Sequence, residues 1–303
     1  MKDMVSIIIV NYNVADLLIN CIQSVYTNCI GVKFEIIVVD NSSTDTSAEK
    51  VRNRFPEVRW IQNLHNAGFP AANNQGINAA KGNYYFLLNP DTELLDDSIS
   101  ILKEKLDANP LVSLVAPQLL NTDRSIQSSL FHFPSIPYIL VEDFYLKSFA
   151  KLKYYANKDL SKSFDVESAA GAALFFKRHL IEQIGMLNEK LFWIEDVDFC
   201  YRIRKAGGIV RYIPDTKIVH HSGQSAKQNY NISICNQVIN KIKFFKLYKS
   251  TFQLAIIYLI SSVNVFLKVI VFGLLSPFKK MYRMKFNAYV YTIPKIFSAT
   301  SQL

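Results

Sequence analysis

Residues 84–95 read YYFLLNPDTELL. Tyr84 to Leu88 form an uninterrupted aromatic and aliphatic run that enters Asn89-Pro90-Asp91 directly, which is the pattern of a buried strand. Proline has no backbone N–H and restricts the residue before it, so Pro90 ends regular structure there. Asn89 and Asp91 are therefore displayed at a strand's carboxyl end, the edge where ligands bind in open α/β sheets.

The same design repeats upstream. VSIIIVNYN (5–13) is an apolar strand ending in Asn11-Tyr12-Asn13, and FEIIVVDNSSTD (34–45) is another ending in Asp40-Asn41. Leu17, Leu18, Cys21, Ile22 and Val25 recur at helical spacing across 15–26, and a second helix is expected over 48–54. VRWIQN (58–63) reads as a third strand; PAANNQGINAAKG (70–82) reads as a helix opened by Pro70 and stopped at Gly82. Strands alternating with helices require crossover connections, which predicts a largely parallel sheet. Four polar strand ends, at Asn11–Asn13, Asp40-Asn41, Asn66–Gly68 and Asn89–Asp91, then share one edge. Singly each is an ordinary turn or helix cap; in register they suggest a binding site.

Downstream, AAGAALFFKR (169–178) resumes a strand, and IEDVDFCYRIRKAGG (194–208) reads as a helix with carboxylates in its first turn and glycines at its stop. Residues 209–225 read as a pair of strands entering a polar loop. The segment 118–167, with Pro134 and Pro137, shows no regular pattern and suits an acceptor-binding or lid region.

At 303 residues, half of them hydrophobic, the chain accommodates one large domain with an appendage; we place these at 1–235 and 236–303. Cys21, Cys29, Cys200 and Cys235 show no C-x-x-C spacing, which argues for free thiols in the cytoplasm. The N-terminus lacks the apolar region and cleavage site of a signal peptide and reads as the first strand. The net charge of +9 is unevenly spread: all 25 acidic residues lie at or before Asp215, and 12 Lys and Arg follow with no acid. A mildly acidic body with a basic tail meets an anionic surface at one end. Residues 254–275, LAIIYLISSVNVFLKVIVFGLL, have the length of a membrane span but contain Asn264 and Lys268. Basic flanks favour a helix lying on the inner face of an anionic membrane, with a single span as the alternative.

Neither G-x-x-x-x-G-K-[ST] nor a strand-linked G-x-G-x-x-G is present, which excludes a P-loop and a dinucleotide site. The motifs VSIIIVNYN, VVDNSSTD, NAGFPAANNQGI, LLNPDTEL, AGAALFFKR and FWIEDVDFCYRIRKAG, in this order, resemble the family 2 glycosyltransferases. They are most similar to rhamnosyltransferase-like enzymes of bacterial cell-surface polysaccharide synthesis, over residues 4–226. The resemblance implies a GT-A fold, a Rossmann-like, mostly parallel mixed α/β sheet flanked by helices, followed here by a helical, hydrophobic and basic extension. It implies inverting transfer of a sugar from a dTDP- or UDP-linked donor to a glycan or lipid-linked acceptor.

Carried over by position, the resemblance implies that Asp40 contacts the base, and that Val10, Asn11 and Asn13 line the nucleotide pocket. Asn66, Gly68 and Asn73 lie beside nucleotide and diphosphate. NPD stands where the family has D-x-D, so Asp91 is the expected ligand of a divalent metal, Mn2+ or Mg2+, while Asn89 departs from the pattern by carrying no charge. His220 falls at a metal-ligand position, and an imidazole suits manganese better than magnesium. Asp196 is the expected base, Glu195 its orienting partner, and Asp198 a helix support.

Two other classes compete. A sugar nucleotidyltransferase calls for a Gly- and Arg-rich loop after its first strand, and IVNYNVADLL (9–18) has neither residue. A non-catalytic membrane module is suggested by Asn89, but EDVD (195–198) is intact. Nucleic-acid binding is disfavoured because the basic tail is too apolar for a phosphate-tracking groove.

Overall fold

A computed structural model of the chain describes residues 3–144, 155, 158–221 and 230–299. Strand β1 (Met4–Asn11) pairs in parallel with β2 (Lys33–Asp40) on one side and β4 (Tyr84–Leu88) on the other; β3 (Arg59–Gln62) extends the sheet beyond β2. The crossovers are α1 (Ala15–Asn28), α2 (Ser47–Arg54) and α3 (Phe69–Ala79). Val5, Ile7 and Ile9 share one core with Leu18 and Ile22 of α1. Ile8 points the other way, toward α3, where a Cβ on Gly76 would come within 2.4 Å of it. Both faces of β1, β2 and β4 are covered, which is why these three strands read as continuous apolar runs.

The second half of the sheet is mixed. It uses β5 (Thr92–Leu94), α4 (Ser98–Asp107), β6 (Val112–Leu120), β7 (Leu130–Phe131), then, after α5 (Ile136–Asp143), β8 (Phe164–Val166), β9 (Ser168–Ala169), β10 (Ala173–Lys177), α6 (Arg178–Ile184), α7 (Glu195–Lys205) and β11 (Ile209–His220). The strand order is β3-β2-β1-β4-β10-β6-β11-β5, with β8 also on β11; β7 and β9 form a separate ladder. β10 runs antiparallel to both β4 and β6. Phe86 and Phe175 meet across that junction at 5.8 Å between ring centres, both fully buried. Where the sequence predicts two strands after Gly208, β11 is one strand of 12 residues whose register against β6 shifts between Ile213 and Lys217. Pro214, which cannot donate to a ladder, sits inside that irregularity.

The chain divides into two compact units. The first is Met1–His132, Lys158–Glu189 and Glu195–Ser225, and it holds the large sheet. The second is Phe133–Asn157, Lys190–Ile194 and Ala226–Leu303. It contains α5 together with α8 (Tyr230–Tyr248), α9 (Thr251–Leu275) and α10 (Lys280–Ser298). Inside it, Phe272 stacks on Tyr289 at 5.8 Å, and Asn264 Nδ2 donates to Asp143 O at 2.7 Å. Lys241 reaches Glu142 at 2.9 Å and Asp143 at 2.7 Å. Among the described residues, α9 is the one helix long and apolar enough to cross a membrane. Phe252, Leu259, Val263, Phe266, Ile270 and Leu274 stand exposed along it at helical spacing.

Candidate active site

Parallel register places Asn11 beside Asp40 at the carboxyl edge, and Asp40 beside Gln62. Asp40 is buried and accepts four hydrogen bonds: Oδ1 from Asn11 Nδ2 and Ser43 Oγ, both at 2.6 Å, and Oδ2 from Ser43 N at 2.9 Å and Gln62 Nε2 at 2.6 Å. Four donors on one carboxylate compensate the loss of water around it. Asn13, at φ 54°, accepts from Thr44 N at 2.8 Å, which ties the turn after β1 to the turn after β2. Val10 is buried one residue before the edge.

Asn66 Oδ1 accepts from Gly68 N at 2.9 Å, and Gly68 O accepts from Asn41 Nδ2 at 3.3 Å. Gly68 adopts φ +86°, a region that side chains strain to enter, and it opens α3. Asn73, buried in α3, turns its amide back to Phe69 O at 3.0 Å, so its nitrogen is spent inside the helix.

Asn89, Asp91 and His220 converge. His220 pairs with Thr92 across β5 and β11, which sets its Nε2 3.4 Å from Asp91 Oδ1 and 3.4 Å from Asn89 Nδ2. Asn89 Oδ1 is buried and takes no hydrogen bond. An orphaned carbonyl of this kind costs about 1–3 kcal/mol, and a cation would satisfy it. Carboxylate and imidazole meet there with the Asn89 carboxamide beside them, a donor set that suits a divalent metal. No three His, Cys, Asp or Glu side chains gather among the described residues, so a substrate diphosphate would have to complete the shell.

Glu195 and Asp196 open α7. Asp196 is partly buried, and its two oxygens accept from Gly171 N at 2.8 Å and Val197 N at 2.7 Å. Desolvation pushes its pKa up to about 6, against the lowering effect of those backbone donors. Glu195 is buried beside it. Asp198, with no exposure, binds Arg202 Nε at 2.9 Å, and the guanidinium holds Ile184 O at 2.6 Å and Met186 O at 2.8 Å. The residue after Gly171 joins this group to the metal-type cluster, because Ala172 O accepts from Asn89 N at 2.9 Å.

Sequence reading missed several partners. Ser43 and Gln62, which hold Asp40, are visible only once the turn and the β2–β3 register are known. Asn74 was hidden inside a helix, yet it bonds Leu187 through both carbonyl and amide, at 2.9 and 3.0 Å, and reaches Glu189 at 2.8 Å. Gln127 lay in the segment that showed no pattern, and it contacts His220 at 2.8 Å.

Comparison with known proteins bears on the family and the fold. The chain is 25% identical over 207 residues to the N-acetylglucosaminyl-diphospho-decaprenol L-rhamnosyltransferase of Mycobacterium tuberculosis, covering 63% of this chain and 67% of that one. It is 29% identical over 210 residues to the low-salt glycan biosynthesis hexosyltransferase of Haloferax volcanii, covering 68% and 63%; the chain thus spans about two thirds of these relatives. A crystal structure of GalNAc-T7 with UDP, GalNAc and Mn2+ shares the fold at a TM-score of 0.55 and 17% identity, over 72% of this chain and 43% of that one. The family description that matches residues 6–185, more than half of the chain, is glycosyl transferase family 2, and the protein belongs to that family.

Proposed function

We propose that this glycosyltransferase moves a sugar, rhamnose as in the mycobacterial relative's name, from a dTDP- or UDP-linked donor to a hydroxyl of a glycan or lipid-linked acceptor. The transfer inverts the anomeric centre and serves cell-surface polysaccharide synthesis. The observation that carries this reading is the Asn89, Asp91 and His220 cluster, joined through Ala172 and Gly171 to a carboxyl group whose pKa lies near 6.

The roles follow from chemistry. Asp40, with Asn11 and Asn13 beside it, presents a fixed negative charge to the N–H of a pyrimidine base, while Asn66 and Gly68 lie along the nucleotide. Asp91, His220 and the Asn89 carboxamide would hold the divalent cation, which when bound offsets charge on the departing diphosphate. Asp196 accepts the proton of the acceptor hydroxyl as its oxygen bonds to the anomeric carbon. The carbon–phosphate oxygen bond breaks in the same step, and the electron pair leaves with the diphosphate. A base of pKa near 6 is ionised at neutral pH and still basic enough to draw that proton. Glu195 orients acceptor or base.

The second unit gives the enzyme its place on the inner face of the membrane. The apolar stripe of α9 has basic neighbours, Lys249 before it and Lys279, Lys280 and Arg283 after it. Asn264 of α9 is committed to Asp143 inside the unit, which favours a helix lying in the interface over one crossing it.

Purified full-length protein offered nucleotide sugars with Mn2+ tests the assignment. Transfer by the wild type that Asp196→Asn and Asp91→Ala both abolish supports it; transfer surviving both substitutions overturns it.

A further inference from the structure

Residues 121–127, NTDRSIQ, lie in the stretch where the sequence shows no regular pattern. They make a tight reversal after β6: Asn121 N donates to Ser125 O at 2.8 Å, Arg124 N to Asn121 O at 2.9 Å, and Gln127 N to Leu119 O at 2.9 Å. Their polar side chains form a row of hydrogen bonds whose direction can be assigned link by link.

One end of the row is fixed by a group that cannot be turned around. The side chain of Gln127 lies 3.0 Å from the backbone carbonyl of His220. A carbonyl only accepts, so the Gln127 atom facing it is the amide nitrogen. That nitrogen also donates to Asn121 Oδ1 at 3.0 Å. Gln127 Oε1 therefore points at His220 Nδ1, 2.8 Å away. An amide oxygen only accepts, so Nδ1 carries a hydrogen, and in the neutral ring Nε2 is the nitrogen with the lone pair; it lies 3.4 Å from both Asp91 Oδ1 and Asn89 Nδ2.

The other end is equally determined. Asn121, accepting through Oδ1, gives its Nδ2 to Ser125 Oγ at 2.9 Å, and Ser125 donates its hydroxyl hydrogen to Asp123 Oδ1 at 2.5 Å. Asp123 is a terminal acceptor, so each donor upstream points toward it.

We propose that the 121–127 reversal is the positioning device of the metal-site histidine: Asp123, Ser125, Asn121 and Gln127, in that order, hold His220 as the Nδ1–H tautomer with Nε2 as the ligand atom. The second-neighbour partner of an imidazole decides which nitrogen is free to ligate. The same reversal separates the two adjacent histidines. Thr122 Oγ1 meets His221 Nδ1 at 3.0 Å while Glu93 meets His221 Nε2 at 2.9 Å, so both ring nitrogens of His221 are engaged. Gln127 touches no substrate in this scheme and acts only through His220. The ligand role rests on the functional reading above; the tautomer does not.

Two measurements on the 15N-labelled full-length chain test it: long-range 1H–15N spectra of the His220 ring, and Mn2+ binding by electron paramagnetic resonance in the presence of UDP or dTDP. The wild type is expected to show Nδ1–H. Gln127→Leu is expected to populate Nε2–H and weaken Mn2+ binding by roughly 10- to 100-fold, the usual range for loss of an outer-shell partner. Ser125→Ala, at an exposed position, weakens it several-fold, as expected for loss of one hydrogen bond. Thr122→Val, which alters only the His221 contact, leaves it within about twofold of wild type. A wild-type His220 protonated on Nε2 overturns the proposal, as does a folded Gln127→Leu that binds Mn2+ like wild type. If Gln127→Leu does not fold, Ser125→Ala decides by the same Mn2+ reading. Should the wild type show Nδ1–H and bind no Mn2+, the metal reading fails and the positioning device stands; Mn2+ binding that depends on Asp91 but not on Gln127 has the opposite meaning.

Discussion

The backbone N–H of Gly171 donates to Oδ2 of Asp196 at 2.8 Å. The next residue, Ala172, accepts from the backbone of Asn89 at 2.9 Å. Two consecutive residues before β10 thus hold the proposed base and the proposed metal corner at a fixed spacing. The antiparallel β10–β4 pairing, with Ala173 opposite Leu88, continues that constraint into the sheet. A base placed by backbone hydrogen bonds loses little entropy on reaching its working geometry.

As the proposed base Asp196 would act deprotonated, and burial pushes its pKa up to about 6. The transfer rate is therefore expected to rise with pH through that value and level off above it. Asp196→Asn should lower kcat by roughly 10²–10⁴-fold and remove the acidic limb from what activity remains. A pH–rate profile at saturating substrates checks both; an unchanged limb in the variant assigns it to another group.

The same shift has a stability consequence of definite sign. The folded pKa of Asp196 lies above the ordinary 3.8, so the folded state binds the proton more tightly than the unfolded state. That contribution is full below about pH 4 and is lost as pH rises through about 6. Asp196→Asn should accordingly melt higher than wild type at pH 8, with the gap closing toward pH 4. Thermal unfolding of both proteins across that window provides the comparison.

Asn89 is the neutral member of the proposed metal corner. Asn89→Asp adds a second carboxylate beside Asp91 and is expected to bind Mn2+ roughly tenfold more tightly, about 1.4 kcal/mol. Asp91→Ala should weaken binding beyond detection, and chelation should stop transfer in the wild type. Calorimetric titration of Mn2+ in the presence of a nucleoside diphosphate measures the order of the three affinities.

Asp40 is expected to matter for folding as well as for the donor. Truncation to alanine leaves Asn11, Ser43 and Gln62 without their common acceptor, which should destabilise the protein by about 2–4 kcal/mol. Gln62→Leu removes one donor and keeps the other three, so it should cost about 1 kcal/mol. Urea unfolding separates the two effects, and the donor KM of Gln62→Leu then reports on the base site in a folded enzyme.

The exposed face of α9 predicts membrane partition. Replacing Leu259, Phe266 and Leu274, exposed at 66, 63 and 72%, with aspartate together should release the protein from vesicles containing phosphatidylserine. It should leave transfer to a soluble acceptor analogue within about threefold of wild type, since surface changes away from the site are small. Flotation at low and high salt gives the measurement, with salt weakening the basic contribution.

Strands β1, β2 and β4 were legible because each buried both faces, and burial on both faces leaves a continuous apolar run that ends abruptly at a polar residue; β3, an edge strand, was legible from its place between two helices. The tail was legible for a related reason: α9 carries more apolar surface than its own unit covers. Asn89 and Asp91 stood out because proline displays polar side chains at a predictable place; the start of α7 showed a group of carboxylates, from which the family resemblance singled out Asp196. The region 118–167 was opaque. Its short strands β7 and β8, and β9 just beyond it, have too few residues to show a period.

The sequence by itself determined that this chain builds a layered α/β sheet with polar groups gathered at one edge, because hydrophobic periodicity and backbone punctuation are local properties. Tertiary structure alone decided the pairing of those groups. It brought Gln62 to Asp40 through strand register, Gly171 to Asp196 through the placement of β10, and Gln127 to His220 across 93 residues of chain. Hydrogen bonds between residues distant in sequence leave no periodic trace in either partner, so only the folded backbone, which fixes register and facing, selects them.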